Sequence, residues 1–141
     1  MTDQEKILAT FEDYASTYCA KDIDGLMAVF DDGSNISMIG TGADELCETR
    51  EAIADVFDRN FKDATAKLFE WHWRQVTITG DAAVVAATLT IHLETDDGAL
   101  SVPIRWTVGL VRRENGWKWT HRHASAAATA QKSGAAYPSE N

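Results

Sequence analysis

The chain has 141 residues, 45% of them hydrophobic and 25% charged, the size and balance of one globular domain rather than of a disordered or membrane-spanning chain. Its formal net charge of −9, with Arg112-Arg113 as the one basic pair, repels phosphate backbones and excludes nucleic acid as an expected partner. The opening Met1-Thr2-Asp3-Gln4-Glu5-Lys6 lacks the flank and apolar run of a secretory signal, so a cytoplasmic location is expected, with no membrane partner.

From Asp3 to Ala20, Ile7, Leu8, Phe11, Tyr14, Ala15, Tyr18 and Cys19 recur at three- and four-residue steps, the stripe of an amphipathic helix. Asp22 and Asp24 offer caps for a short second helix carrying Leu26, Met27 and Phe30, and Asp31-Asp32-Gly33 stops it. A strand over 35–40 follows, then a glycine-marked loop, Gly40-Thr41-Gly42-Ala43-Asp44-Glu45. Thr49 opens a third helix with Ile53, Val56, Phe57 and Phe61 on one face. From Lys67 the period becomes two, and turns at Gly80-Asp81, Asp96-Asp97-Gly98 and Glu114-Asn115-Gly116 divide four strands over 68–79, 82–95, 100–113 and 117–125. The expected fold is α+β, a curved antiparallel sheet wrapped on three N-terminal helices in the order α-α-β-α-β-β-β-β, over residues 1–126, with 127–141 as a flexible tail. Cys19 and Cys47 lack a paired spacing and read as buried free thiols.

Turn geometry assigns faces. A two-residue turn at Gly80-Asp81 sets Trp71 and Trp73 opposite Thr90 and Thr88, and pairing Asp96 with Ala99 brings Val85, Leu89, Ile91 and Leu93 beside Leu110, Trp106, Ile104 and Val102 as the core face. A three-residue loop at Glu114-Asn115-Gly116 pairs Gly109 with His121, Thr107 with His123 and Arg105 with Ser125. The other face then collects Trp71, Trp73, His92, Arg105, Thr107, Trp117, Trp119, His121, His123 and Ser125. A tryptophan-rich face with Arg is what association surfaces favour, so a homodimer through this face is expected.

These pieces resemble a known family. Met38-Ile39-Gly40-Thr41-Gly42-Ala43-Asp44-Glu45, Thr49-Arg50-Glu51-Ala52-Ile53, Arg105-Trp106-Thr107 and Gly116-Trp117-Lys118-Trp119-Thr120-His121-Arg122-His123-Ala124-Ser125 together resemble SnoaL-like domains of the nuclear transport factor 2-like superfamily. The last piece also resembles the association domain of calcium/calmodulin-dependent kinase II. The resemblance implies a cone with an internal pocket and dimers through the outer sheet face. Ketosteroid isomerase, scytalone dehydratase and polyketide cyclases belong to that superfamily, as do binding and assembly domains without chemistry, so it implies no single activity. Ketosteroid isomerase-like members carry an acidic base near the first strand. Here that strand reads Ile36-Ser37-Met38-Ile39-Gly40, and the nearest acids are Asp44 and Glu45 in the following loop.

The expected pocket residues are Tyr14, Tyr18, Met38, Arg74 and Trp106. Glu70, His72 and Arg74 alternate with tryptophans on the first long strand, and on the core face they would converge toward the tyrosines: Arg74 would fix an anionic or carbonyl group and His72 would exchange a proton. The plainer reading of the same residues is an ion pair and hydrogen-bonded core tyrosines. His121 and His123 share one side of a strand, as two metal ligands would, yet no adjacent acid completes a set, so no metal and no cofactor is expected. Ser125 beside His123 lacks the turn and donors of a hydrolase site, and Gly40-Thr41-Gly42 lacks the spacing of a phosphate cradle. Two functions stay open: a homodimeric module for a small apolar or carboxylated molecule or for assembly, and, as the resemblance implies, a cofactor-free isomerase, dehydratase or cyclase acting on a polyketide- or steroid-like substrate, using His72 or Asp44 as base with Arg74 or Tyr14 as enolate stabiliser.

Overall fold

A computed structural model describes residues 1–139. The first helix, α1 (Asp3–Cys19), opens with a reciprocal cap: the Thr2 hydroxyl accepts the Glu5 N–H at 3.1 Å and the Glu5 carboxylate accepts the Thr2 N–H at 3.3 Å, a device worth about 1 kcal/mol. Its apolar stripe buries Ile7, Phe11 and Tyr14. Asp22 caps α2 (Ile23–Met27) and Thr49 caps α3 (Arg50–Asp63), as the sequence predicts. Phe30 lies beyond α2, in an isolated bridge with Trp119. No helix among the described residues is long and apolar enough to cross a membrane.

Six strands form one sheet in the order β2-β1-β6-β5-β4-β3: β1 (Ser37–Ile39), β2 (Leu46–Cys47), β3 (Thr65–Thr79), β4 (Ala82–Thr95), β5 (Gly98–Arg113) and β6 (Gly116–Ser125). The α+β class with the helices on one face of a curved, unclosed sheet is as expected. Two details differ: β2 is an added two-residue strand, and β1 runs parallel to β6, so the sheet is mixed rather than wholly antiparallel.

The three hairpins reach their registers by different routes. Thr79 pairs with Ala82 as predicted. At the second turn Thr95 pairs with Gly98, so the loop is Asp96-Asp97 and β4 slips two residues against the expected register. A two-residue slip preserves the side-chain faces, and Val85, Leu89 and Ile91 stay inward, now opposite Val108, Ile104 and Val102. At the third turn Arg113 pairs with Gly116 across two residues, not three. An extra residue in β6, Thr120, then restores the predicted pairs Gly109–His121, Thr107–His123 and Arg105–Ser125.

That bulge corrects the expected placing of two tryptophans. Trp117 and Trp119 fall on the inner face, 5% and 0% exposed, while His121 and His123 stay outside, because one surplus residue reverses the alternation on either side of itself. A second bulge, at His72 in β3, has a like effect: Trp71 pairs with Leu89 and turns inward, whereas Trp73 pairs with Thr88 and is 50% exposed. The core between helices and sheet is largely aromatic. Trp119 lies 4.9 Å from both Phe11 and Tyr14, and Tyr14 meets Trp106 edge-on at 5.0 Å, contacts that add to the burial of large rings.

Arg50 closes the end of α2, donating to the carbonyls of Met27 and Asp31 at 3.1 and 2.7 Å. Asp31, buried, receives two hydrogen bonds from Arg113. Residues 126–139 hold turns but no helix or strand and are exposed, and the rest of the expected tail, Glu140 and Asn141, lies outside the described residues.

Candidate functional site

One cavity of about 240 Å³ opens between the last turns of α1 and α3, the far ends of β4 and β5, β6 and the 40–45 loop. The sheet supplies apolar walls through Ile91, Leu93, Val102 and Ile104, and Trp106, Tyr14 and Tyr18 add aromatic surface. Against these walls stands one buried cation. Arg122 is 8% exposed, its Nη1 donates to the Tyr14 hydroxyl at 2.8 Å, and its guanidinium lies 5.4 Å from the Trp106 ring centre.

Arg122 has no ion-pair partner among the described residues, and its Nε is buried without an acceptor. The indole Nε1 of Trp106, lining the same cavity, is likewise buried and unpaired. Withdrawing a guanidinium from water costs several kcal/mol unless acceptors replace the lost hydration. Two unpaired donors beside one cavity form a site short of acceptors. Burial pushes the Tyr14 hydroxyl above its ordinary pKa, the adjacent Arg122 partly opposing the shift. Tyr18 is also pushed up, chiefly by burial and next by neighbouring Tyr14. Both phenols therefore stay protonated at neutral pH and act as neutral donors or acceptors.

Carboxylates occupy the mouth. Glu45, its side chain 13% exposed, accepts the Gly42 N–H at 2.7 Å and pairs with Arg59 at 3.2 Å. Asp44 meets the same arginine at 2.9 Å but is 72% exposed and lies outside the lining; the Arg59 hydrogen bond holds its carboxyl below the usual range. Asp63 and Asn60 complete the rim. The loop that carries Glu45 is thus pinned to α3 through Arg59.

Of the five expected pocket residues, Tyr14, Tyr18 and Trp106 line the cavity. Met38 is fully buried in the core, and Arg74, inward as expected, lies over the Trp71 ring at 5.0 Å and pairs with Glu12 at 3.4 Å, away from the lining. His72 and Glu70 correct the expected inner placing. The bulge turns His72 outward to bond the Thr90 hydroxyl at 2.8 Å, and Glu70 binds His92 at 2.8 Å on that same outer side. The outer face also brings together His121 with Ser37 at 2.8 Å and Arg105 with Ser125 at 3.2 Å, with Thr107, His123 and Trp73 exposed beside them. Trp71 and Trp119, expected there, lie inside. No group of three or more His, Cys, Asp or Glu side chains suited to a metal ion occurs among the described residues.

Sequence reasoning missed Arg122 and Glu45 as a pair. The signal for Arg122 was present, since His121 and His123 on the outer face force the residue between them inward. For Glu45 the sequence showed the loop but not which of two adjacent acids turns in.

The fold is shared with known proteins. Residues 7–129 match the family model of the SnoaL-like domain. No curated protein matches the sequence. Among solved structures, a candidate dehydratase of the NTF2-like family from Streptomyces avermitilis superposes with a TM-score of 0.78 at 19% identity, covering 89% of this chain and 97% of that one. A candidate calcium/calmodulin-dependent kinase II association domain from Xanthomonas campestris gives 0.76 at 20% identity, covering 87% and 86%. A ketosteroid isomerase-like protein from Erwinia carotovora gives 0.71 at 16%, covering 86% and 94%. At such identities the likeness is one of fold. With the matched model spanning nearly the whole sheet and all three helices, the chain belongs to the SnoaL-like domain family.

Proposed function

We propose that this domain binds a compact organic molecule inside the cone, with a carboxylate or carbonyl oxygen set against Arg122, Tyr14 and Trp106, and that it does so as a homodimer. The observation that carries the reading is the buried, unpaired guanidinium of Arg122 on a cavity wall. A ligand oxygen supplies the acceptor that the folded chain withholds, and the apolar walls take its carbon frame. The cavity equals about eight water volumes, enough for a ring with one short polar arm. Soluble location in the cytoplasm is part of the same reading.

Benzoate and benzamide serve as probes, the first charged and the second neutral with the same ring. Benzoate is expected to raise the melting temperature of the native chain and to lose at least about tenfold in affinity with Arg122→Met. Equal binding of both probes to the native chain and the variant removes the guanidinium from the site.

One observation favours chemistry as a second reading: Glu45 presents a carboxylate to the same cavity as those donors. A proton on carbon next to a ligand carbonyl could pass to Glu45 while the electron pair moves to the oxygen held by Tyr14 and Arg122. Glu45→Gln then stops deuterium exchange at that carbon without weakening binding, whereas a binding module shows no such exchange in either chain.

A further inference from the structure

All four histidines of the chain stand on the outer face of the sheet: His72 on β3, His92 on β4, His121 and His123 on β6. Hydroxyls on neighbouring strands hold three of the rings at 2.8 Å: Thr90 for His72, Ser101 for His92 and Ser37 for His121. The chain has 22 Asp and Glu residues, yet the middle of this face shows Trp73, Gln75, Thr77, Val84, Arg105 and Thr107, without a carboxylate. Acids on the face are confined to one end, at Glu70 and Glu94. The helices on the opposite side carry many of the rest, among them Glu12 and Asp13 on α1 and Asp55 and Asp58 on α3.

A second copy of this chain fits such a surface. Two molecules of charge −9 approach closely only where carboxylates are missing. Four strands about 4.8 Å apart and some ten residues long make a patch on the order of 600 Å², within reach of the ~800 Å² per partner of a stable interface. Trp73 and Val84, 50% and 49% exposed, supply its apolar centre.

We infer that this face is a self-association surface governed by its four histidines, dimeric at neutral pH and released as the rings protonate. The inference rests on the homodimer reading above and adds its regulation. A two-fold contact gathers eight imidazoles and two Arg105 guanidiniums. Neutral rings pack and hydrogen-bond there; protonated rings set like charges against one another. His92 is the compensated site, since Glu70 faces it across β3. His72 bonds the Thr90 hydroxyl and also lies within the field of the Glu70 carboxylate, and His121 faces Ser37 with the His123 ring 6.3 Å away and Arg122 on the reverse side of β6. His123 pairs across to Thr107, one residue pair from Arg105. Burial already lowers the His121 pKa.

Rings that must give up protons to associate leave the dimer at full strength at neutral pH and weaken it as falling pH protonates them, His121 at a lower pH than an ordinary imidazole because burial lowers its pKa. The overall charge of the chain predicts the reverse, because approaching a pI near 4.7 reduces net repulsion. The direction of the pH effect therefore separates the two.

Sedimentation equilibrium of the full chain at pH 7.5 and 5.8, beside H72Q/H92Q/H121Q/H123Q, tests this. The native chain is expected to dimerise at pH 7.5 with a Kd at least about tenfold higher at pH 5.8, because displacing a proton from an ordinary imidazole costs about fivefold over that interval and each ring occurs twice in the dimer; the variant is expected to dimerise without that loss. A dimer as tight or tighter at pH 5.8 overturns the switch and leaves the homodimer standing. A native monomer at both pH values overturns both. Val84→Arg, on the exposed centre of the face, is expected to give a monomer at pH 7.5, and an unaffected dimer there places the contact elsewhere. If the fourfold variant does not fold by circular dichroism, H121Q/H123Q replaces it, with at least a partial loss of the pH effect expected and an unchanged effect overturning the role of those two rings.

Discussion

β3 carries surplus residues at Lys67 and His72 and β6 one at Thr120, and the bulges at His72 and Thr120 have different reach. His72 bulges from the edge strand, where its ring turns to the open face and one tryptophan is exchanged for another. Thr120 bulges from a strand with neighbours on both sides, and its hydroxyl is held by the Gly109 carbonyl at 3.2 Å. The β6 bulge divides its strand into a half that builds the core, Trp117 and Trp119, and a half that puts Arg122 into the cavity and two histidines outside. The edge bulge sets one indole, Trp71, against the core and leaves Trp73 half in solvent, whereas the inner-strand bulge sets two buried indoles and the cation of the cavity.

The sharpest way to break the comparison is to truncate an indole on each side of it. Trp119→Ala, at a fully buried position, is expected to cost about 3–5 kcal/mol in urea denaturation, while Trp73→Ala, half in water, costs about 0.5 kcal/mol or less in the monomer. Similar losses at both sites would mean that Trp73 packs as firmly as a core indole.

A smaller effect tests the clamp beside the inward half of β6. The backbone N–H of Asp31 donates to the Trp119 carbonyl at 2.8 Å, and its buried carboxylate is held by Arg113. The Arg113 hydrogen bond lowers the Asp31 pKa, so the stabilisation is full above the unfolded value near 3.9 and fades as pH falls through the lowered one. Asp31→Asn is expected to cost about 1–2 kcal/mol at pH 7, discounted because Arg113 is half in water, and the gap to the native chain should close in acid. Parallel stability curves from pH 7 to pH 2 would exclude the clamp.

Smallest in stability is Arg122→Met. Removing a buried cation that lacks a carboxylate partner should leave the chain within about 1 kcal/mol of native or make it more stable, while ligand affinity falls. A large loss of stability would assign Arg122 to the scaffold and not to the site.

Much of this was legible from local chemistry. Asp22 and Thr49 announce their helices because a side-chain oxygen before an apolar stripe satisfies free backbone donors, and Gly80-Asp81 marks its turn to the residue. The residues of the 96–98 turn predict a register two residues from the one formed, yet the faces hold because side chains alternate with a period of two. The bulges were not legible, since alternation on each side of an extra residue is regular and only packing against α1 decides where the phase breaks. Arg122 could have been read once the histidines were placed outside. His72 could not be placed, because its side depends on that phase.

The parallel pairing of β1 with β6 has a kinetic consequence. Ser37 and His121, bonded across these strands, are 84 residues apart, so β1 has no parallel neighbour until nearly all the sheet has been made. Closing so long a loop before it is rewarded slows folding toward the millisecond-to-second range of non-local β topologies. The strand that makes this pairing carries Trp119 as well as Arg122, so a folding chain closes its core and acquires a place to hold a guest in the same late step.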